Sequence, residues 1–247
     1  MRSRNKVLAA ILILLSASCV TKPQEKVLPF SEQIKVDTVR AQGLYQAFHK
    51  EVTFKSSPKT EHYLTLIATK LAKEDTELRI DAVKVRVHDD SSNPDLAHFF
   101  AFPGTTISVP YSFLKKIRFE NELAAALAFE LANVMKRTLA NHVEKLEAGT
   151  PILFGQGSVF DLEFDQRKES MQLGVKLLYY GGYDTRGMPS IFEHYPQYYG
   201  AGGASGLDKK EVNFNIREAQ KAKSDYLPSM KPVVRSDEFI EFKKELQ

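Results

Sequence analysis

The residues best placed to do chemistry lie between Asn121 and Arg137, in the run NELAAALAFELANVMKR. At its centre stands FELAN, Phe129 to Asn133. Residues i and i+4 share a helix face, so His at both ends of such a pentapeptide can hold one zinc. The Glu after the first His then acts as general base on the metal-bound water. Here Glu130 keeps the base position and neither end is His. Phe129 has no lone pair to offer. Asn133 offers a carbonyl oxygen, whereas zinc sites are built from His, Cys and carboxylates. Glu169 is a second carboxylate, but two carboxylates without His make a poor zinc site. His142 follows Asn133 by about two and a half helical turns and cannot replace the missing ligand unless the helix breaks. No GxSxG occurs and the only Cys is Cys19, so neither a serine hydrolase of that kind nor an internal disulfide is expected. The Gly-rich run Tyr198 to Gly206 lacks GxxxxGK[ST] and reads as a flexible loop over a cleft, not a phosphate loop.

The elements that must position these residues follow from periodicity. Ala, Leu and Glu dominate the central run, which contains no Gly or Pro. Leu123, Leu127, Leu131 and Val134 repeat on one face, which predicts a buried helix from about Arg118 to about Ala140. Thr60 to Lys73 predicts an amphipathic helix with Tyr63, Leu64, Ile67 and Leu71 as its stripe and His62 facing solvent. Val83, Val85 and Val87 alternate with Lys84 and Arg86 in a half-buried strand. Ala97 to Phe102 and Thr105 to Val109 flank Pro103-Gly104 as a hairpin. A short helix is expected within Ser31 to Lys50, a loop at Thr53 to Pro58, and another short helix at Tyr111 to Ile117. A long helix is expected over Val159 to Tyr180, ended by Gly181-Gly182, followed by a short one over Asp184 to Tyr195. Val212 to Lys223 and Ser236 to Leu246 read as helices, the second opening on a capping signature.

Three blocks carry a resemblance. ENELAAALAFELANV resembles the ENELAAVLAHEIAHV of the CaaX-prenyl-protease/HtpX/BepA-like family of zinc metallopeptidases. HFFAFPGTTISVP (His98 to Pro110) is similar to that family's NAFALPGGYIFVN edge segment. RKESMQLGVKLLYYGGYDTRGMPSIFEHY (Arg167 to Tyr195) resembles its EREADRLGLRLLARAGYDPRAMPRFFERL. The blocks keep their order, and the resemblance covers about Thr60 to Tyr195. It implies an α+β, mainly helical zincin-like domain with a small sheet or hairpin edging the cleft. His98, Phe100, Phe102, Pro103 and Gly104 would form that edge, where a peptide can add as a strand. His98, as a lone His in a strand, otherwise reads as packing or surface.

The resemblance also places the family's zinc ligands at Phe129, Asn133 and Arg167, and the Asp of its ExxxD motif at Met171. All are replaced. Arg167 stays protonated and would repel a metal ion. The family's Ser-Thr-His-Pro segment is replaced by LDKKEVNFN, which has no His. No metal and no cofactor is therefore expected, and Glu130 is expected as a vestigial general base. A Glu in an Ala/Leu helix is usually solvated. In this buried motif the alternative is an ion pair of Glu130 with Arg167 across the vacated site.

Met1 to Cys19 has the order of a secretory signal: basic Arg2, Arg4 and Lys6, apolar Val7 to Leu15, then small residues before Cys19. The SASC tetrapeptide is similar to a bacterial lipobox, so residues 1–18 are read as signal peptide, Cys19 as lipidated, and residues 19–30 as a tether. Residues 31–247 are read as the domain, with its core at 60–195. Val20 after the Cys points to the periplasmic face of the outer membrane. The formal charge of +3 is that of the leader's basic residues, so nothing calls for nucleic acid. The partners expected are the membrane, through the lipid, and peptides or unfolded envelope proteins. Three functions follow: an inactive, peptide-binding pseudopeptidase, an active metalloendopeptidase with an atypical metal site, or a structural lipoprotein with a vestigial cleft.

Overall fold

The computed structural model describes residues 28–55, 57–74, 80, 83–144, 162–199, 208–228 and 230–247. Cys19, the leader and the Gly-rich segment after Tyr199 lie outside them. The fold is mixed α+β and mainly helical. Its sheet comprises β1 (Thr53–Phe54), β2 (Lys84–Asp89), β3 (Phe100–Phe102) and β4 (Thr106–Pro110), in the order β1-β2-β4-β3. β2 and β4 run parallel, with Val85 opposite Ile107; the outer pairs are antiparallel.

Helix α1 (Phe30–Glu51) is far longer than the short helix expected, and the expected loop at Thr53 to Pro58 contains strand β1. α2 (Pro58–Ala72) opens with Pro at its first turn and Ser57 as cap, whose hydroxyl accepts from the Thr60 amide at 3.4 Å. α3 (Tyr111–Lys116) leads into α4 (Glu120–Met135), where Glu122 accepts from the Arg118 and Phe119 amides. All of α4 is buried, not merely its Leu face. Ala on its other sides lets α2, α6 (Phe164–Tyr180), α7 (Gly187–His194) and the sheet approach all round it. Glycines mark the close approaches: a methyl on Gly174 of α6 would lie 3.4 Å from the backbone of Ala128, and one on Gly187 of α7 would overlap the Asn121 carbonyl oxygen.

The expected continuation of α4 to Ala140 fails at Arg137, which takes a left-handed φ of 53°. The chain turns there and restarts as α5 (Thr138–Val143). α6 begins at Phe164, later than expected, and closes on Gly182 at φ 76°. α8 (Lys209–Ser224) packs on α6 and α7. The chain ends in α9 (Asp237–Glu245), with the Ser236 hydroxyl accepting from the Phe239 amide at 3.1 Å.

Side chains alternate along β3. Ala101 joins the main core around α4, whereas Phe100 and Phe102 point the other way into a smaller core with Leu44 and Phe48 of α1. The Phe48 ring lies 4.7 Å from Phe100 and 5.1 Å from Phe102.

Candidate functional site

The middle of α4 brings Phe129, Glu130 and Asn133 against α6, α7 and the turn that follows α7. Lys136 of α4 meets Glu169 of α6 at 3.3 Å, and Gly174 lies against Ala128, so the two helices run antiparallel. Phe129 stands at the first position of FELAN, where the resemblance would put a metal ligand. Its ring meets Phe192 edge-on at 5.4 Å and Tyr199 at 5.9 Å, and Tyr199 in turn stacks on Phe99 at 5.4 Å. Four aromatic rings thus occupy one side of the site and exclude water from it.

Glu130 is 6% exposed. Burial favours its neutral form and pushes its carboxyl up to about 7; the hydrogen bond donated by the Asn133 amide at 3.2 Å works in the opposite direction and only partly offsets it. Asn133 is therefore the carboxyl's hydrogen-bonding neighbour. Buried beside this pair, and without a protein partner, are the Asn133 Oδ1, the Ser170 hydroxyl of α6 and the Tyr199 hydroxyl. Burial also raises the Tyr199 phenol well above its ordinary range, with the nearby Glu130 adding to the effect.

The ion pair expected between Glu130 and Arg167 does not form. Arg167 is 6% exposed and its guanidinium pairs with Glu211 of α8. It also donates to the Leu162 carbonyl at 2.8 Å and the Tyr199 carbonyl at 3.1 Å. The reason is direction: the guanidinium reaches the Glu211 carboxylate and the Leu162 and Tyr199 carbonyls, and these three acceptors satisfy it. Nor is Arg167 a solvated side chain on a cleft edge. Met171, one turn on, is fully buried.

The remaining residues are placed as follows. Glu169 is mostly exposed and faces Lys136, away from Glu130. His142 lies on α5, beyond the break at Arg137. His98 is half-buried in a bend ahead of β3, not in the strand. Phe100 and Phe102 are covered by α1. Pro103 and Gly104 form the hairpin turn, with Gly104 at φ 104°, a conformation that glycine supports. Glu211 and Tyr199 were missed by the sequence reading. Glu211 stands in the LDKKEVNFN segment noted for its lack of His, and only the packing of α8 on α6 shows its partner.

These residues do not fit a zinc ion of the HExxH kind. Where the resemblance would put ligands stand a phenyl ring, a paired guanidinium and an amide bonded to Glu130. Among the described residues no three His, Cys, Asp or Glu side chains group as a metal site. No described helix is long and apolar enough to cross a membrane. The arrangement can hold one proton on Glu130 near neutral pH and offers polar atoms around it. Compared with protein-family models and with curated proteins, the chain matches none.

Proposed function

We propose that this protein is a lipid-anchored, zincin-like pseudopeptidase of the bacterial envelope, which binds peptide segments or unfolded envelope proteins without cleaving them. One observation carries the reading: the FELAN helix lies against the helix bearing Arg167, in the pairing expected of an HExxH and an ExxxD helix, yet each ligand position is filled by a packed or paired side chain. The three-block resemblance supports the fold, and the order of residues 1–19 supports export and lipidation at Cys19, at the periplasmic face of the outer membrane. Glu130 is then a relic of a general base, its carboxyl pushed up to about 7 by burial.

The test is elemental analysis of the purified protein, with casein as substrate. The expected outcome is no stoichiometric zinc and no cleavage, with labelled unfolded casein bound reversibly. About one zinc per chain, with cleavage lost to chelator and to Glu130→Gln, would establish an active metalloendopeptidase instead. Absence of both cleavage and binding would leave a structural lipoprotein.

A further inference from the structure

The two most exposed large apolar side chains among the described residues stand close together in sequence. Leu227 is 81% exposed and Met230 is 97% exposed, both in the segment that joins α8 to α9. Side chains exposed to that degree project from the body of the molecule. Each leaves nearly all of its apolar surface in water.

The segment is fastened on both sides of them. Before them, the Tyr226 amide donates to the Lys223 carbonyl at 3.1 Å, and the Tyr226 ring packs on Tyr179 of α6 at 5.0 Å. After them, the Val233 amide donates to the Gly182 carbonyl at 2.8 Å, and the Val233 carbonyl accepts from the Asp184 amide at 3.0 Å. Pro228 and Pro232 restrict the backbone further. Leu227 and Met230 are therefore presented with part of the ordering cost of binding already met.

The surroundings are basic and aromatic. Residues 221–235 carry Lys221, Lys223, Lys231 and Arg235 against one acid, Asp225, a local excess in a chain whose formal charge is only +3. Lys221, Lys231 and Arg235 are exposed. Tyr180 is 56% exposed, with its ring 6.5 Å from that of Tyr226. Aliphatic tips ringed by Lys, Arg and Tyr match the layers of a bilayer face, where acyl chains lie beneath anionic headgroups.

We infer that this segment is a membrane contact. Leu227 and Met230 enter the acyl boundary of an anionic phospholipid surface, while the lysines, Arg235 and Tyr180 meet its headgroups. Long lysine stems let the charges stay in the headgroup layer as the apolar tips go deeper. Two side chains offer too little area for a stable protein interface, which buries about 1,600 Å² in all. A fluid lipid surface sets no such minimum and takes up side chains singly. The contact is reversible and orients a domain near a membrane without holding it there. It depends neither on lipid at Cys19 nor on the FELAN site.

The experiment uses the full chain as Cys19→Ser, so that Met230→Cys supplies the only thiol for an environment-sensitive nitrobenzoxadiazole dye. A control protein carries the dye at Val39→Cys, on α1, where Val39 is 72% exposed. Any attraction of the leader for lipid is common to both proteins. Each is mixed with excess vesicles of phosphatidylcholine, alone or with about one third phosphatidylglycerol. On the anionic vesicles the dye at position 230 is expected to shift to the blue and brighten about twofold or more, while the dye at position 39 stays unchanged. Lys221→Glu, Lys223→Glu and Lys231→Glu together should abolish the response. No response at position 230, an equal response at position 39 or on neutral vesicles, or a response that survives the three Glu substitutions would overturn the contact. Brightening that rises with protein concentration in the absence of lipid would overturn it too, and would assign the patch to a second copy of the chain.

Discussion

Glu130 is a carboxyl whose buried environment departs far from the solvated one usual for its type. Its carboxyl is raised from the model-peptide 4.5 to about 7, so the folded state holds the proton more tightly than the unfolded chain does. Its contribution is therefore complete below about pH 4.5, is lost as pH rises toward 7, and is a constant penalty above that. Glu130→Gln should match the parent's stability near pH 4.5 and exceed it above pH 7 by at most about 3 kcal/mol. Denaturant melts at both pH values check this; a constant difference between them would contradict the assignment. His88 has the opposite sign. Buried between the Ser108 hydroxyl and the Leu96 carbonyl, each at 2.8 Å, it is pushed down to about 4 and favours the fold as pH rises. Phe129 fills its position by volume. Restoring the ligand set with Phe129→His, Asn133→His and Arg167→Glu would remove that ring and put a carboxylate beside Glu211. The apo variant should melt below the parent in chelator and regain part of the loss with zinc. A metal-free variant as stable as the parent would show that these side chains do not stabilise the site.

At the scale of elements, the buried Arg167–Glu211 pair joins α6 to α8. Removing one partner leaves a buried charge, so Arg167→Ala or Glu211→Ala should each cost about 3–5 kcal/mol. The double variant Arg167→Ala/Glu211→Ala should cost much less than the sum of the two, as a double-mutant cycle would read. Additive losses would mean that the two groups stabilise the fold separately. The position of Arg167 on α6 was legible from the Leu and Gly pattern around it, but its partner was not. Pair identity depends on how α8 rotates against α6, and no local periodicity encodes that. The end of α4 was equally hidden: VMKRTLANH continues a helical composition, and Arg137 departs from it in a left-handed turn whose guanidinium reaches Asp37. β1 was read as loop because two residues carry too little alternation to register as a strand.

The whole molecule is closed by its C-terminal segment. Val234 accepts from the amide of Glu120 at the start of α4, and the Ser236 amide donates to the Glu120 carboxylate at 2.7 Å. Phe239 and Phe242 of α9 then enter the main core. Both termini of the described chain are thus tied to α4, one through α9 and the other through Asp37. On the proposed reading, residues 1–19 carry the export signal and the lipid anchor. Cys19→Ser should move the protein from the membrane to the soluble fraction and abolish its lipid label. Unchanged fractionation and labelling would dismiss the anchor.

Much of this organisation was readable without coordinates. The buried α4, the amphipathic α2, the β3–β4 hairpin with Pro103-Gly104 at its turn, and the Gly end of α6 all follow from short-range chemistry: hydrophobic period, glycine's access to positive φ, and capping side chains. That FELAN carries no His at either end is likewise a property of the residues themselves. Tertiary structure alone decided how each replacement is satisfied. It turned Arg167 toward Glu211, set Tyr199 against Phe129, buried Glu130 beside Asn133, and brought Asp37 to Arg137 across 100 positions of chain. Burial and long-range pairing are set by the surfaces that meet. A sequence fixes those surfaces one at a time, and only their packing chooses which of them touch.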